Sequence, residues 1–152
     1  MMEMYRFFGW ECSCAPAAPA NYPGIGCPRD LYDALLSLWS AETCAPRMRE
    51  DWSYENPTLG QCSITAFLAQ DIFGGIVRGI PLGDGNFHCY NVVGSQVFDL
   101  TSEQFGDRPL TCAPGPDNPE QFRTVHFAKK EKEARYLLLR SRLLAELERR
   151  KN

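Results

Sequence analysis

No stretch of this chain is long and apolar enough to cross a bilayer, and residues 1–11 lack both a basic start and an extended apolar run. On those grounds a transmembrane span and a secretory leader are not expected, and the cytoplasm, where thiols stay reduced, is the expected location. Surplus positive charge is also missing. The formal net charge is −3, and acidic residues are interleaved with the basic ones near the C-terminus, which argues against a nucleic-acid partner. No internal repeat is visible. Histidine is scarce as well: only His88 and His126 can supply imidazole chemistry.

What is present describes a packed domain. Hydrophobic residues make up 44% of the 152 positions, with nine Phe, six Tyr and three Trp, enough for a core without cross-links. The seven cysteines are an odd number, and in a reducing compartment they read as free thiols or metal ligands. Cys12, Cys14, Cys27 and Cys44 are the set from which a small zinc-binding protein could be built. Structural zinc sites usually use two closely spaced pairs, which this spacing lacks, so separate thiols are favoured and no metal is assigned.

Three segments follow from the pattern. Residues 1–27 form an irregular Cys- and Pro-rich lead-in, 28–127 an α+β core, and 128–152 a helix packed on that core or on a partner. The first helix opens at Pro28 and extends to about Ser40, with Leu31, Leu35 and Leu38 on one stripe. Residues 41–61 read as a long loop. A second helix covers 61–73 and stops at Gly74-Gly75. A short strand at 76–80 is followed by a hairpin, 87–93 and 96–100, whose Gly94-Ser95 loop suits a two-residue type II′ turn. Residues 106–120 read as a Pro/Gly-rich loop and 125–127 as a brief strand. From about Lys129 to Arg150, Tyr136, Leu139, Leu143 and Leu147 make the apolar line of a long helix. A small antiparallel sheet of three to five strands with helices against it is the expected architecture.

Chemistry concentrates at Cys62, placed where the loop becomes the second helix. Free N–H groups and the positive dipole end of that helix favour a thiolate, and an imidazolium beside it would favour one further. The hairpin register supplies the imidazole. If Gly94 and Ser95 are the loop, Val93 faces Gln96, Asn91 faces Phe98 and Tyr90 faces Asp99. His88 and Asp99 are then diagonal neighbours on one face, with Cβ atoms roughly 5–7 Å apart. A slip of one residue would separate them. A nucleophile, a base and an orienting carboxylate are the parts of thiol acyl chemistry. The backbone N–H of Cys62 is one donor for an oxyanion, and Trp52, Gln61 and Asn56 are the candidates for a second. Cys89 is turned to the other face by strand alternation, and His126 has no evident partner.

The segments Leu31 to Leu35, Trp39 to Thr43, Asn56 to Cys62, Gln70 to Gly75, His88 to Asn91 and Asp99 to Phe105 resemble the YunG-type group of bacterial proteins. More remotely, a Cys, then a His, then Asp-x-Thr is similar to the transglutaminase-like and papain-like superfamily. That likeness implies a Cys on a helix packed against an antiparallel sheet. It carries a nucleophile role to Cys62, a base role to His88, an orienting role to Asp99 and, less directly, an oxyanion role to Trp52. Cysteine hydrolase or acyl-transferase activity on a peptide, protein or small acyl substrate is the resulting expectation, with no cofactor and no membrane partner. The competing expectations are a catalytically silent interaction domain of the same fold and the zinc-binding protein.

Overall fold

The computed structural model describes residues 7–13, 21–83, 85–105 and 117–151. Its helices are α1 (Pro28–Leu35), α2 (Cys62–Phe73), α3 (Arg123–His126) and α4 (Lys130–Arg150). Its strands are β1 (Ile76–Pro81), β2 (Phe87–Val93), β3 (Gln96–Phe98) and β4 (Glu120–Gln121). They form one antiparallel sheet in the order β3-β2-β1-β4.

Central to the packing is α2. Ser63 to Ala69, Ile72 and Phe73 are all buried, because β2 and α4 both pack against this helix. Two polar bonds fix its position. Asn91 donates from β2 to the Ala66 carbonyl at 2.9 Å, and the Trp39 indole N–H donates to Thr65 Oγ1 at 3.0 Å. Helix α4 contributes the apolar line expected of it: Tyr136, Leu139, Leu143 and Leu147 are buried, each such burial contributing about 1.5–3 kcal/mol. This helix lies on its own chain, against α1 and α2.

The hairpin adopts the anticipated register, with Asn91 opposite Phe98, Val92 opposite Val97 and Val93 opposite Gln96. Gly94 has φ of 61°, the positive value that a type II′ turn needs at its first loop position. Beyond Phe98 the ladder changes partner: Asp99 bridges to Phe8, donating its N–H to the Phe8 carbonyl at 2.8 Å. The lead-in is therefore partly structural, and Phe7 is buried and stacked on Tyr32.

Several expectations need correction. Helix α1 ends at Leu35 rather than Ser40 and gives way to a turn. The presumed loop at 41–61 contains a 3₁₀ helix, Pro46–Asp51, opened by its proline. Residues 125–127 are not a strand, since the Val125 and His126 N–H groups both donate to the Phe122 carbonyl and close a helical turn. The fourth strand is Glu120–Gln121, paired on β1. Residues 106–116 of the Pro/Gly-rich loop and Cys14 lie outside the described residues. Among the described residues no helix is long and apolar enough to cross a membrane.

Candidate active site

Gly60 sets up the approach to Cys62. Its φ is 72°, and a Cβ there would sit 2.5 Å from Cys44 Sγ and 2.9 Å from the Ala45 nitrogen. Only glycine lets the chain press against Cys44 before turning into α2. Gln61 is the N-cap of α2 and makes no capping bond with its side chain. The N–H groups of the first turn, starting with that of Cys62, thus have no side-chain cap, and intrahelical partners are not available to them.

Cys62 is half-buried, whereas His88 and Asp99 are each 1% exposed. His88 Nε2 lies 2.5 Å from Asp99 Oδ2. The other carboxylate oxygen of Asp99 accepts from the Thr101 N–H at 3.1 Å and from Thr101 Oγ1 at 3.3 Å. Asp-x-Thr is thus a self-contained clamp, leaving one oxygen to orient the imidazole. With Nε2 committed to the carboxylate, Nδ1 is the nitrogen left for the hydrogen bond that His88 makes with Cys62.

Electrostatics follow from this packing. Burial alone would push the His88 pKa down, but the charge and hydrogen bond of Asp99, helped by Cys62, raise it to about 10. The Cys62 thiol is held well below its usual range, chiefly by a hydrogen bond from Cys89. Burial opposes that shift, and the hydrogen bond and charge of His88 add to it. Cys89 moves the opposite way, pushed well up by its bond to Cys62 and by burial. The two neighbouring thiols are thus shifted in opposite directions, Cys62 toward the thiolate and Cys89 toward the thiol. A thiolate beside an imidazolium, itself locked to a carboxylate, can attack an electrophilic carbon and hand a proton to a leaving group.

These groups open on a cleft of about 430 Å³, lined by the start of α2, the start of β2, the 3₁₀ segment and residues of α3 and α4. Residues 27–148, which include the whole of this cleft's lining, match the family described as YunG protein. The chain belongs to that family. The YunG protein of Bacillus subtilis (strain 168) is similar to it, 44% identical over 71 residues that cover 47% of this chain and 56% of that protein. The match therefore spans little more than half the length of that curated relative. No solved structure matches the chain.

The three proposed oxyanion donors do not reach the cleft. Trp52 gives its indole N–H to the Pro57 carbonyl at 2.9 Å, which ties the ring to its own loop. Gln61 is wholly buried and donates to the Ser40 carbonyl at 3.1 Å. Asn56 sits in the same outer loop, bridged to Ser53, and does not line the cavity. A residue just before a nucleophile in sequence points away from it once a helix begins, because successive side chains are splayed about the axis.

Cys89 and His126 both belong to the site, which the sequence pattern does not indicate. Alternation does turn Cys89 to the face opposite His88, yet Cys62 Sγ lies against the strand backbone itself, 3.7 Å from the Phe87 carbonyl. From there it reaches side chains of both parities. His126 lines the cleft, its Nε2 paired with Gln121 Oε1 at 2.9 Å and its Nδ1 with Lys132 Nζ at 2.9 Å. No sequence signal joins His126 to Lys132, because residues 125–127 read as a strand whereas they close a helical turn ahead of α4. Cys12 donates to the Val97 carbonyl at 3.4 Å, Cys44 is wedged against Gly60, and among the described residues no three potential ligands gather at a metal site.

Proposed function

We propose that this protein performs thiol-dependent acyl chemistry on an amide, ester or thioester, with Cys62 as nucleophile, His88 as proton carrier and Asp99 as the group that orients His88. The observation that supports it most is the meeting of these three side chains, with His88 Nε2 2.5 Å from Asp99 and Cys62, a partly buried residue, lining the cleft. The finer likeness to transglutaminase-like and papain-like enzymes belongs to this proposal too, supported by a Cys at a helix start packed on the strand that carries the His.

In the proposed sequence His88 holds the proton released by Cys62. The thiolate attacks the carbonyl carbon, and the backbone N–H of Cys62 at the uncapped start of α2 faces the developing oxyanion. Collapse expels an amine, alcohol or thiol, which takes the proton from His88. Water or an amine then attacks the thioester and gives its proton to His88, and Cys62 leaves as the thiolate. No cofactor takes part in these steps.

Incubation with p-nitrophenyl acetate and peptide mass spectrometry tests the reading. An acetyl group on Cys62 that forms quickly, turns over, and is absent in Cys62→Ser and slow in His88→Ala is expected. A Cys62 that stays unacylated while still alkylating rapidly would instead favour an interaction domain that keeps the fold without the reaction.

A further inference from the structure

Among the described residues, the cleft that opens on Cys62 carries four cationic side chains, Arg47, Lys129, Lys132 and Arg135, against a single carboxylate, Glu131. Glu131 is already engaged, 2.8 Å from Arg135 one helical turn on, so that pair cancels. Arg47, Lys129 and Lys132 have no carboxylate partner among the described residues. A chain with formal charge −3 has therefore concentrated unpaired positive charge in its one reactive cleft among the described residues.

Lys132 is the most telling of the three. It is half-buried, and its ammonium donates to His126 Nδ1 at 2.9 Å, while His126 Nε2–H donates to Gln121. Gln121 thereby fixes the tautomer that leaves Nδ1 as the acceptor. Its partner is thus a neutral ring, which positions the ammonium without discharging it. One cation could serve a lone thiolate, but that thiolate already has His88, and three cations exceed what it needs.

We propose that the cleft selects acyl substrates bearing an anionic group, a carboxylate or a phosphate, close to the reacting carbonyl, and that Lys132 with Arg47 and Lys129 holds that group. This deepens the acyl-transfer reading and rests on it for the reaction, though not for the charge preference. His126 and Gln121 are positioning residues, acting through Lys132.

Paired alkylation rates at Cys62 test the charge preference without needing turnover. Iodoacetate carries a carboxylate and iodoacetamide is its neutral counterpart, and peptide mass spectrometry reads each at Cys62. The iodoacetate-to-iodoacetamide rate ratio should exceed that of N-acetylcysteinamide by roughly tenfold at low salt and collapse in about 1 M sodium chloride. Lys132→Gln should cut the ratio by about threefold, the effect of one nearby charge in water, and Lys132→Arg should restore it. Glutarate or inorganic phosphate should slow iodoacetate selectively, and the stronger competitor identifies the anion. A ratio equal to that of the free thiol, unchanged by Lys132→Gln and by the Arg47→Gln/Lys129→Gln double variant, or untouched by both competitors, overturns the inference. Success here with no acetyl-Cys62 would sink only the reaction; acetylation with a flat ratio would sink only the charge preference.

Discussion

His88 and His126 line the same cleft, and burial works against a charge on both, yet their neighbours send them in opposite directions. His88 meets a carboxylate and a thiolate and rises to about 10, while His126 meets burial and then the ammonium of Lys132 and falls to about 4. One is a cation at neutral pH and the other a neutral ring. The identity of the partner therefore decides which histidine can hold a proton for the sulfur and which can only place a neighbouring charge.

Removing His88 should break this contrast most severely. His88→Ala leaves Asp99 buried without its cation, a change that costs about 3–5 kcal/mol of stability in comparable buried pairs. It should also lower the alkylation rate of Cys62 at pH 6 by about two orders of magnitude, because an ordinary thiol is almost wholly protonated there. Chemical denaturation and peptide-level labelling measure the two effects separately.

Asp99→Asn keeps the shape and removes the charge. His88 should then titrate well below 10, and Cys62 labelling at pH 6 should fall at least tenfold. The sign of the stability effect is fixed by linkage. Stabilisation from holding His88 protonated is complete below its unfolded value of 6.5 and disappears as pH rises through about 10. The variant should therefore lose most stability in acid and neutral buffers and least near pH 10, as read from denaturation midpoints across that range.

Cys89→Ala sharpens the comparison from the sulfur side. It deletes the hydrogen bond that contributes most to lowering Cys62, so the labelling midpoint should move up while the His88–Asp99 pair stays in place.

The smallest effect belongs to Lys132→Gln, which should let the His126 NMR titration rise from about 4 toward 6.5. Between those values the unfolded chain binds a proton at this position and the folded chain does not, so wild-type stability rises with pH across that window, and the variant should narrow it.

How much of this was legible depended on whether local pattern or distant packing did the deciding. The hairpin was readable because a two-residue Gly94-Ser95 loop fixes register as far as Phe98. The expected pairing of Asp99 with Tyr90 does not form, because Asp99 bridges to Phe8, yet its carboxylate still meets His88. Helix α2 was readable because Gly74-Gly75 ends it and apolar residues repeat through it. Helix α3 was not, because four residues are too few for periodicity to distinguish a helical turn from a strand. The reach of Cys62 to Cys89 and the pairing of Lys132 with His126 were hidden for another reason. Both depend on how α2 and α4 sit against the sheet, which no single segment encodes.

The most direct measurement is the pH profile of iodoacetamide alkylation at Cys62, followed peptide by peptide beside Cys12 and Cys44, whose thiols burial pushes up. The account predicts a Cys62 midpoint well below 9, with rates already level while the other two are still climbing. A Cys62 profile that climbs through pH 9 together with Cys12 and Cys44 would contradict it.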